Sequence, residues 1–568
     1  MTLTDSRRLT GPNLHLDGPG AAAEVSVADE IKAQAITLWT THVRTLLTAV
    51  GWGNETVVTR LYNGGATLAI TAPIDRLYAA TEVVEAAWEY VQAKMSGGPL
   101  PDFDVTVENL KGEIADEHDP ALCALSHSAD TKNVSCLSDD ELITLGIGAG
   151  SQSWPRDKTP SPDQVNWTAI SDVPVAFVTG TNGKSTTVRI AAAIGAAAKL
   201  TVGFSTSDWV KVGEDEIATG DYSGPEGARL AMRDTRVDMA IIETARGGLL
   251  RRGLPLPKTA ACLITNIASD HLGEYGIHDV EALADTKFTV SKAVKHSGIL
   301  ILNADDDRLK CRGRNFAGEV AWYGLSLNPS DIPTKGYAAF IRDDQFAVSK
   351  DSDVTLISPI KDFAPALGGA ATYNISNALG AVLLMRVLGV DPDSIRRGLL
   401  TFESTIEDNP GRGNFMDIGG VKVLLDFAHN PHGLLALTDA LNNIPAQRRL
   451  YLCGQGGDRS DDDIYQMTKV IRESEPDAII VKEIKTKLRG RQPGELPALI
   501  RQYLADMDYT GDRVIDATSE LDAVIKAFEW AKPGDLLVLL IHANRKKTLA
   551  LLQKLKDEDW QAGENVSP

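Results

Sequence analysis

The sequence predicts an α/β protein of several domains: two units built on mainly parallel sheets covered by helices, with a separate α+β unit in front. Three observations lead there. The chain has 568 residues, more than one hydrophobic core usually serves at about 100–200 residues per domain. From residue 173 onward, short apolar runs alternate with helix-like stretches. A strand among these (Val175–Thr179) runs straight into the glycine-bracketed loop Gly180-Thr-Asn-Gly-Lys-Ser-Thr-Thr187, the arrangement of a strand, a phosphate loop and a helix.

The elements follow in order. In the first unit, with its linker 1–165, residues 31–50 carry apolar side chains at helical intervals (Ile31, Ala35, Leu38, Leu46, Val50). Residues 57–61 and 66–70 alternate as strands, joined by the turn Asn63-Gly64-Gly65. Residues 79–91 read as a helix, and 103–107 alternate as a further strand. Here His15, His42, His118 and His127 are dispersed and read as surface or packing residues. Residues 146–166, rich in Gly, Ser, Pro and Asp, read as a linker. The central unit, 166–405, contains the apolar runs 175–179, 201–205, 239–243, 261–266 and 298–303. Strands buried on both faces give such continuous runs, hence a parallel sheet. The last unit, 406–568, repeats the rhythm at 421–426, 449–453, 478–482 and 535–541.

Composition narrows the function. Lys and Arg number 57 against 77 Asp and Glu, a net charge of −20. This argues against non-specific nucleic-acid binding and would suit a cationic substrate. No uncharged apolar run reaches the roughly 18 residues of a membrane span, and the first residues have no signal-peptide core. The five cysteines lack metal-ligand spacing. A cytoplasmic protein with reduced thiols is expected.

The chemistry concentrates at predicted strand ends. Gly180 and Gly183 let the loop amides of Thr181 and Asn182 turn inward, Lys184 aims its ammonium at terminal phosphates, Ser185 offers a hydroxyl to Mg²⁺, and Thr186 follows it in the nucleotide-binding helix start. The two glycines stand closer than in the usual G-x-x-x-x-G-K-[ST] loop. Glu243 ends the next strand, where a carboxylate can hold Mg²⁺ or serve as an ordinary ion-pair partner. Arg246, Arg251 and Arg252 follow, as anion binders or as solvated arginines. Asp270-His271 ends another strand and marks His271 as a metal or catalytic candidate. Lys287 by itself reads as a surface lysine. Strand 421–425 ends in Asp426-Phe-Ala-His429-Asn430-Pro431, an acid, an imidazole and an amide at one edge. Pro410-Gly411-Arg412-Gly413 offers an arginine on a turn that can close over the nucleotide.

These segments, with Glu243-Thr-Ala-Arg-Gly-Gly248, Leu250-Arg-Arg-Gly253, Thr265-Asn266, Asp270-His-Leu-Gly273, Leu302-Asn-Ala-Asp-Asp306, Gly457-Asp-Arg459 and Arg489-Gly-Arg491, resemble the Mur ligase family of ATP-dependent amide-bond formers. The likeness runs from about residue 170 to 545 and is closest to the ligase portion of the cyanophycin synthetases. Arg8-Leu-Thr-Gly-Pro-Asn13 resembles their N-terminal domain. The resemblance implies a central P-loop-type domain and a Rossmann-like C-terminal domain. It implies ATP and Mg²⁺: the loop and Lys184 on the phosphates, Ser185 and Glu243 on one Mg²⁺, and His271 on a second. Lys287 falls where many family members carry a carbamylated lysine. Asn374 and Asn377 match adenine-contacting asparagines, with helix capping as the alternative. Arg412 would reach the γ-phosphate and Asp426 the ribose after domain closure, and Arg246, His429 and Asn430 are expected to bind substrate.

The ATP-grasp domain that cyanophycin synthetases carry between these parts has no counterpart in the sequence. The expected activity is therefore joining an amino acid, arginine being the natural guess, to a carboxylate of an acidic amino acid or peptide. A separate ATP-grasp ligase in the same pathway and a homo-oligomer are further expectations. The competing readings are a nucleotide-binding regulatory partner of such a ligase and a nucleotide-driven switch.

Overall fold

Among the described residues eleven strands form the central sheet, and its middle decides where chemistry can occur. The computed structural model describes every residue except 295, 297, 328–334, 567 and 568. In spatial order the middle strands are Val202–Ser205, Met239–Glu243, Val175–Thr179, Ala261–Ile264, Ile299–Asn303 and Glu319–Tyr323, all parallel. Strand Val175–Thr179 lies between two strands that follow it in sequence by different crossovers. The crevice above it is a switch point of the kind that binds ligands in open α/β sheets. All five residues of this strand are buried. Both faces are covered: Val188, Ile190 and Ile194 of helix Lys184–Ala197 join one core cluster and Phe177, Ile242 and Leu300 the other. Full burial of each such side chain contributes about 1.5–3 kcal/mol.

The C-terminal sheet has six strands, ordered Asn414–Ile418, Val421–Asp426, Leu536–Leu540, Arg449–Cys453, Ala478–Lys482 and Val514–Ala517. All but the first pair in parallel. The N-terminal sheet is antiparallel, Thr2–Leu9, Gly20–Ser26, Gly65–Thr71 and Val57–Tyr62, with helices Asp29–Ala49 and Leu77–Ser96 packed in its core. No helix among the described residues is long and apolar enough to cross a membrane.

Two local expectations are corrected. Residues 103–107 are not a strand; they open helix Phe103–Glu117. Asp102 caps it by accepting from the Val105 amide at 3.0 Å, and the buried face recurs at Val107, Leu110 and Ile114. Five alternating residues could not reveal that longer period. Residues 146–166 are no free linker. Gln152–Pro155 pairs with Leu142–Leu145, which pairs with Cys136–Ser138. Ile147 is fully buried, and Ala149 donates to Val237 O at 2.8 Å. Gly148 takes φ +61°, and a Cβ there would meet Val237 O at 2.4 Å, so the glycines serve close docking on the central domain.

Candidate functional site

The carboxyl ends of the central strands and the facing edge of the C-terminal domain enclose a cleft of about 1410 Å³. Its floor is the loop after Val175–Thr179. Gly180 has φ +140° and Gly183 φ +85°. A Cβ on Gly183 would lie 2.0 Å from Asn377 Oδ1, so this close approach requires glycine. Thr181 donates its amide to Asn266 O at 2.9 Å. Thr265 Oγ1 and Asn266 Nδ2 both donate to Asn182 O, at 2.6 and 3.0 Å. Lys184 Nζ donates to Thr181 O at 3.0 Å.

Beside the loop, Ser185 Oγ donates to Glu243 Oε2 at 2.7 Å and lies 3.2 Å from Ser207 Oγ. Glu243 is 2% exposed and also accepts from the Ser207 amide at 3.3 Å. A buried carboxylate oxygen beside a hydroxyl at a helix start is a hard-oxygen donor set that fits Mg²⁺. Lys287, placed by helix Val280–Phe288, donates Nζ to Gly180 O at 2.8 Å. Burial, and then the ammonium of Lys184, press its pKa well below the usual lysine range.

A second polar cluster joins the domains. Asp270, His271 and His429 present ligand atoms within 4.8 Å of one another. Arg459 donates to Asp270 Oδ1 at 2.8 Å and faces His271 Nε2 at 3.2 Å. Burial lowers the pKa of His271 to about 4, against the pull of Asp270. Burial pushes the Asp270 carboxyl up, yet His429, His271 and Arg459 outweigh it and hold it well below the usual range.

The C-terminal domain is closed onto the loop. Arg412 donates to Ser207 Oγ at 2.9 Å and stacks over Phe427 at 5.0 Å. The side chains of Asn182 and Asn430 exchange hydrogen bonds at 3.2 and 2.9 Å. Asp426 accepts from the amides of Gly413 and Ala428 at 2.7 and 2.6 Å, while burial raises its pKa. Arg412 Nε and Arg246 Nη1 are buried without a hydrogen-bond partner. Guanidinium edges left so beside an open cleft suit an anionic ligand.

Of the residues singled out in the sequence, Thr181, Asn182, Gly183, Lys184, Ser185, Thr186, Glu243, Arg246, His271, Lys287, Asn374, Asn377, Arg412, Asp426 and His429 line this one cleft. Gly180 and Asn430 act through Lys287 and Asn182 instead. Neither Asn374 nor Asn377 caps its helix: Asn374 Nδ2 donates to Pro365 O at 3.0 Å, and the N-cap position is Ala371. Sequence reading missed Ser207, Asp208, Arg189 and Arg545. Asp208 pairs with buried Arg189 and, across the cleft, with Arg545 at 2.5 Å. Ser207 and Asp208 follow strand Val202–Ser205, so the strand-end rule that found Glu243 points to them too.

Fold and cleft define an α/β protein in which a glycine-bracketed strand–helix loop of the central domain faces the C-terminal domain across a polar cleft. The Mur ligase middle domain matches residues 178–385, and the Mur ligase, glutamate ligase domain matches 411–540. The chain belongs to the Mur ligase family. It is 33% identical over 398 residues to a cyanophycin synthetase of Trichormus variabilis, covering 68% of this chain and 43% of that protein. It is 36% identical over 336 residues to a cyanophycin synthetase of Synechocystis sp., covering 58% and 38%. The chain thus spans less than half the length of these curated relatives. A solved bifunctional folylpolyglutamate synthase/dihydrofolate synthase with Mn, AMPPNP and L-glutamate bound aligns at TM-score 0.49 and 16% identity, over 67% of this chain and 89% of that one.

Proposed function

We propose that this chain is an ATP-dependent amide ligase that activates a substrate carboxylate as an acyl phosphate and passes the acyl group to an amino-acid amine. The observation that carries this reading is the meeting, in one cleft, of Lys184, the Ser185–Glu243 pair and an arginine from the opposite domain, Arg412.

A carboxylate and a triphosphate repel each other, so the site must cancel charge before they can react. In this reading the loop amides and Lys184 hold the β- and γ-phosphates, and Arg412 reaches the γ-phosphate from above. Asn374 and Asn377 flank the base, and Asp426 the ribose. Bound Mg²⁺ would supply further charge neutralisation at Ser185 Oγ and Glu243, with a second ion at the Asp270, His271 and His429 group. A carboxylate oxygen attacks the γ-phosphorus, and the bond to the ADP oxygen breaks. An amine nitrogen then attacks the acyl carbon, phosphate leaves, and the amine sheds a proton. Closure of the C-terminal domain keeps water from the acyl phosphate. Lys287 is held toward its neutral form by burial. A neutral amine is the form that reacts with carbon dioxide, which supports carbamylation there.

Arg246 and His429 line the part of the cleft left for the two substrates, and Asn430 braces it through Asn182. The likeness to the cyanophycin synthetases, together with the net charge of −20, favours an acidic amino acid or peptide as acceptor and a basic amino acid as amine. Any backbone-building step would come from a separate ATP-grasp enzyme, because only a short docked segment separates the N-terminal unit from strand Val175–Thr179. The test is phosphate release from ATP across a panel of amino acids and acidic dipeptides, with mass spectrometry of products. Amine-dependent ADP formation with an amide product is expected. ATP hydrolysis indifferent to every amine and carboxylate would overturn the reading.

A further inference from the structure

The N-terminal domain makes polar contacts with two loops that line the cleft. The first loop is 246–253, beginning with helix Arg246–Arg251, directly after Glu243. The second is 270–278, beginning with the Asp270-His271 pair. The second is strained at its two non-glycine left-handed residues, His271 at φ +49° and Tyr275 at +52°, which alternate with Gly273 at +104° and Gly276 at +68°. Such non-glycine residues persist in this region only where surrounding structure fixes them.

That structure is the N-terminal domain. Arg7 is 5% exposed and donates Nε to Leu250 O at 2.8 Å. Its two terminal nitrogens are taken up by Asp5 at 2.8 Å and buried Glu24 at 2.7 Å, and its guanidinium lies 4.6 Å over the Tyr275 ring. One side chain therefore touches both loops. Tyr275 is gripped a second time by Arg251, whose Nε donates to its hydroxyl at 3.1 Å. Arg60 donates to Gly276 O at 3.0 Å. Tyr62, fixed by Glu24 at 2.9 Å, packs so tightly on Gly276 that a Cβ there would meet its ring at 2.3 Å. Segment 10–16 lies along the first loop: Thr10 donates to Arg252 O at 2.7 Å, and Leu254 donates to Pro12 O at 2.7 Å. A Cβ on Gly11 would strike Leu254 O at 2.3 Å. Leu14 completes the small apolar cluster of Leu250, Ile277 and Leu283.

We infer that the N-terminal domain is part of the ligase site, a clamp that holds these two loops in their working shape, with Arg7 as its central positioning residue. Arg7 touches no reacting atom. It acts through Leu250 O and Tyr275, which set where Arg251 and His271 stand at the cleft. A guanidinium is needed because three acceptors and a ring face must be served from one buried point. Lysine, with a compact ammonium, serves only part of this set. The catalytic consequence rests on the ligase reading above; the structural one does not.

The experiment uses the full chain as wild type, Arg7→Lys, Arg7→Ala and Arg60→Ala. Hydrogen exchange is followed by mass spectrometry, alongside binding of a non-hydrolysable ATP analogue. In Arg7→Ala, exchange in 246–253 and 270–278 should rise about tenfold or more, with residues 184–197 and 421–426 unchanged. Arg7→Lys and Arg60→Ala should fall between. Analogue affinity should stay within about twofold of wild type. With the substrates found by the panel, KM for the carboxylate should rise more than kcat falls. Unchanged exchange in both loops would overturn the clamp, and so would an equal rise across the whole chain, which marks general destabilisation. If wild type binds no nucleotide, the ligase reading fails while the exchange result still decides the clamp.

Discussion

Replacing Lys184 by alanine separates folding from chemistry in this site. In the folded chain Lys184 makes one hydrogen bond, from Nζ to Thr181 O at 3.0 Å. Losing it should cost about 0.5–1.5 kcal/mol of stability. Part of that is offset, because the Lys184 ammonium presses on buried Lys287 and its removal relieves the repulsion. The loop keeps its shape through Thr265, Asn266 and Lys287, which bind the carbonyls of Asn182 and Gly180 and orient the loop independently of Lys184. In the transition state the loss is of another order. Removing one preorganised donor costs about 2.7–4 kcal/mol, and at about 1.36 kcal/mol per tenfold this is roughly a 10²–10³-fold fall in kcat. The assay is amine-dependent ADP release with product mass spectrometry, run beside urea unfolding. Lys184→Met controls for side-chain bulk. Turnover within about tenfold of wild type, on the scale set by single-donor losses, with ATP dependence intact would refute the assignment.

Two further predictions follow from the geometry. Glu243→Gln keeps an acceptor for Ser185 but removes the charge, so the Mg²⁺ needed for half-maximal turnover should rise by about tenfold or more, as for loss of a carboxylate ligand. A titration against wild type checks it, and an unchanged Mg²⁺ requirement would count against this metal position. Glu520, fully buried, receives Lys482 and the amides of His542, Ala543 and Asn544, and so anchors the loop that delivers Arg545 to Asp208. Burial raises its pKa, but Lys482 and these amides bring it down to about 2 from 4.5. A depressed carboxyl contributes stability above its unfolded pKa and loses it in acid. Glu520→Gln should therefore cost about 3–5 kcal/mol near neutrality by stranding the Lys482 charge. The gap to wild type should shrink as pH falls from 4.5 toward 2. Urea unfolding at several pH values measures it, and a gap independent of pH would refute the assignment.

Much of the molecule was legible before folding was considered. The strands 175–179, 239–243, 421–426, 449–453 and 478–482 match their sequence bounds, because strands buried on both faces must be apolar along their whole length. The edge strands Asp215–Thr219 and Asp353–Pro359 escaped, since they are largely exposed and carry no continuous apolar run. The helix at Phe103 was mistaken because its first turn is exposed and its period shows only across Val107, Leu110 and Ile114.

The order of residues alone settled the glycine-bracketed strand–helix loop, the parallel sheets and membership of the Mur ligase family, because each rests on short-range spacing that survives in any conformation. Which side chains meet was settled only by the fold. Arg412 reaches Ser207, Arg459 reaches Asp270, and Arg7 reaches Leu250. Each pair is far apart in the chain and carries no local pattern. Sheet order and the closing of one domain on another bring them together, and burial then gives groups such as Lys287 a proton affinity that no list of residues contains.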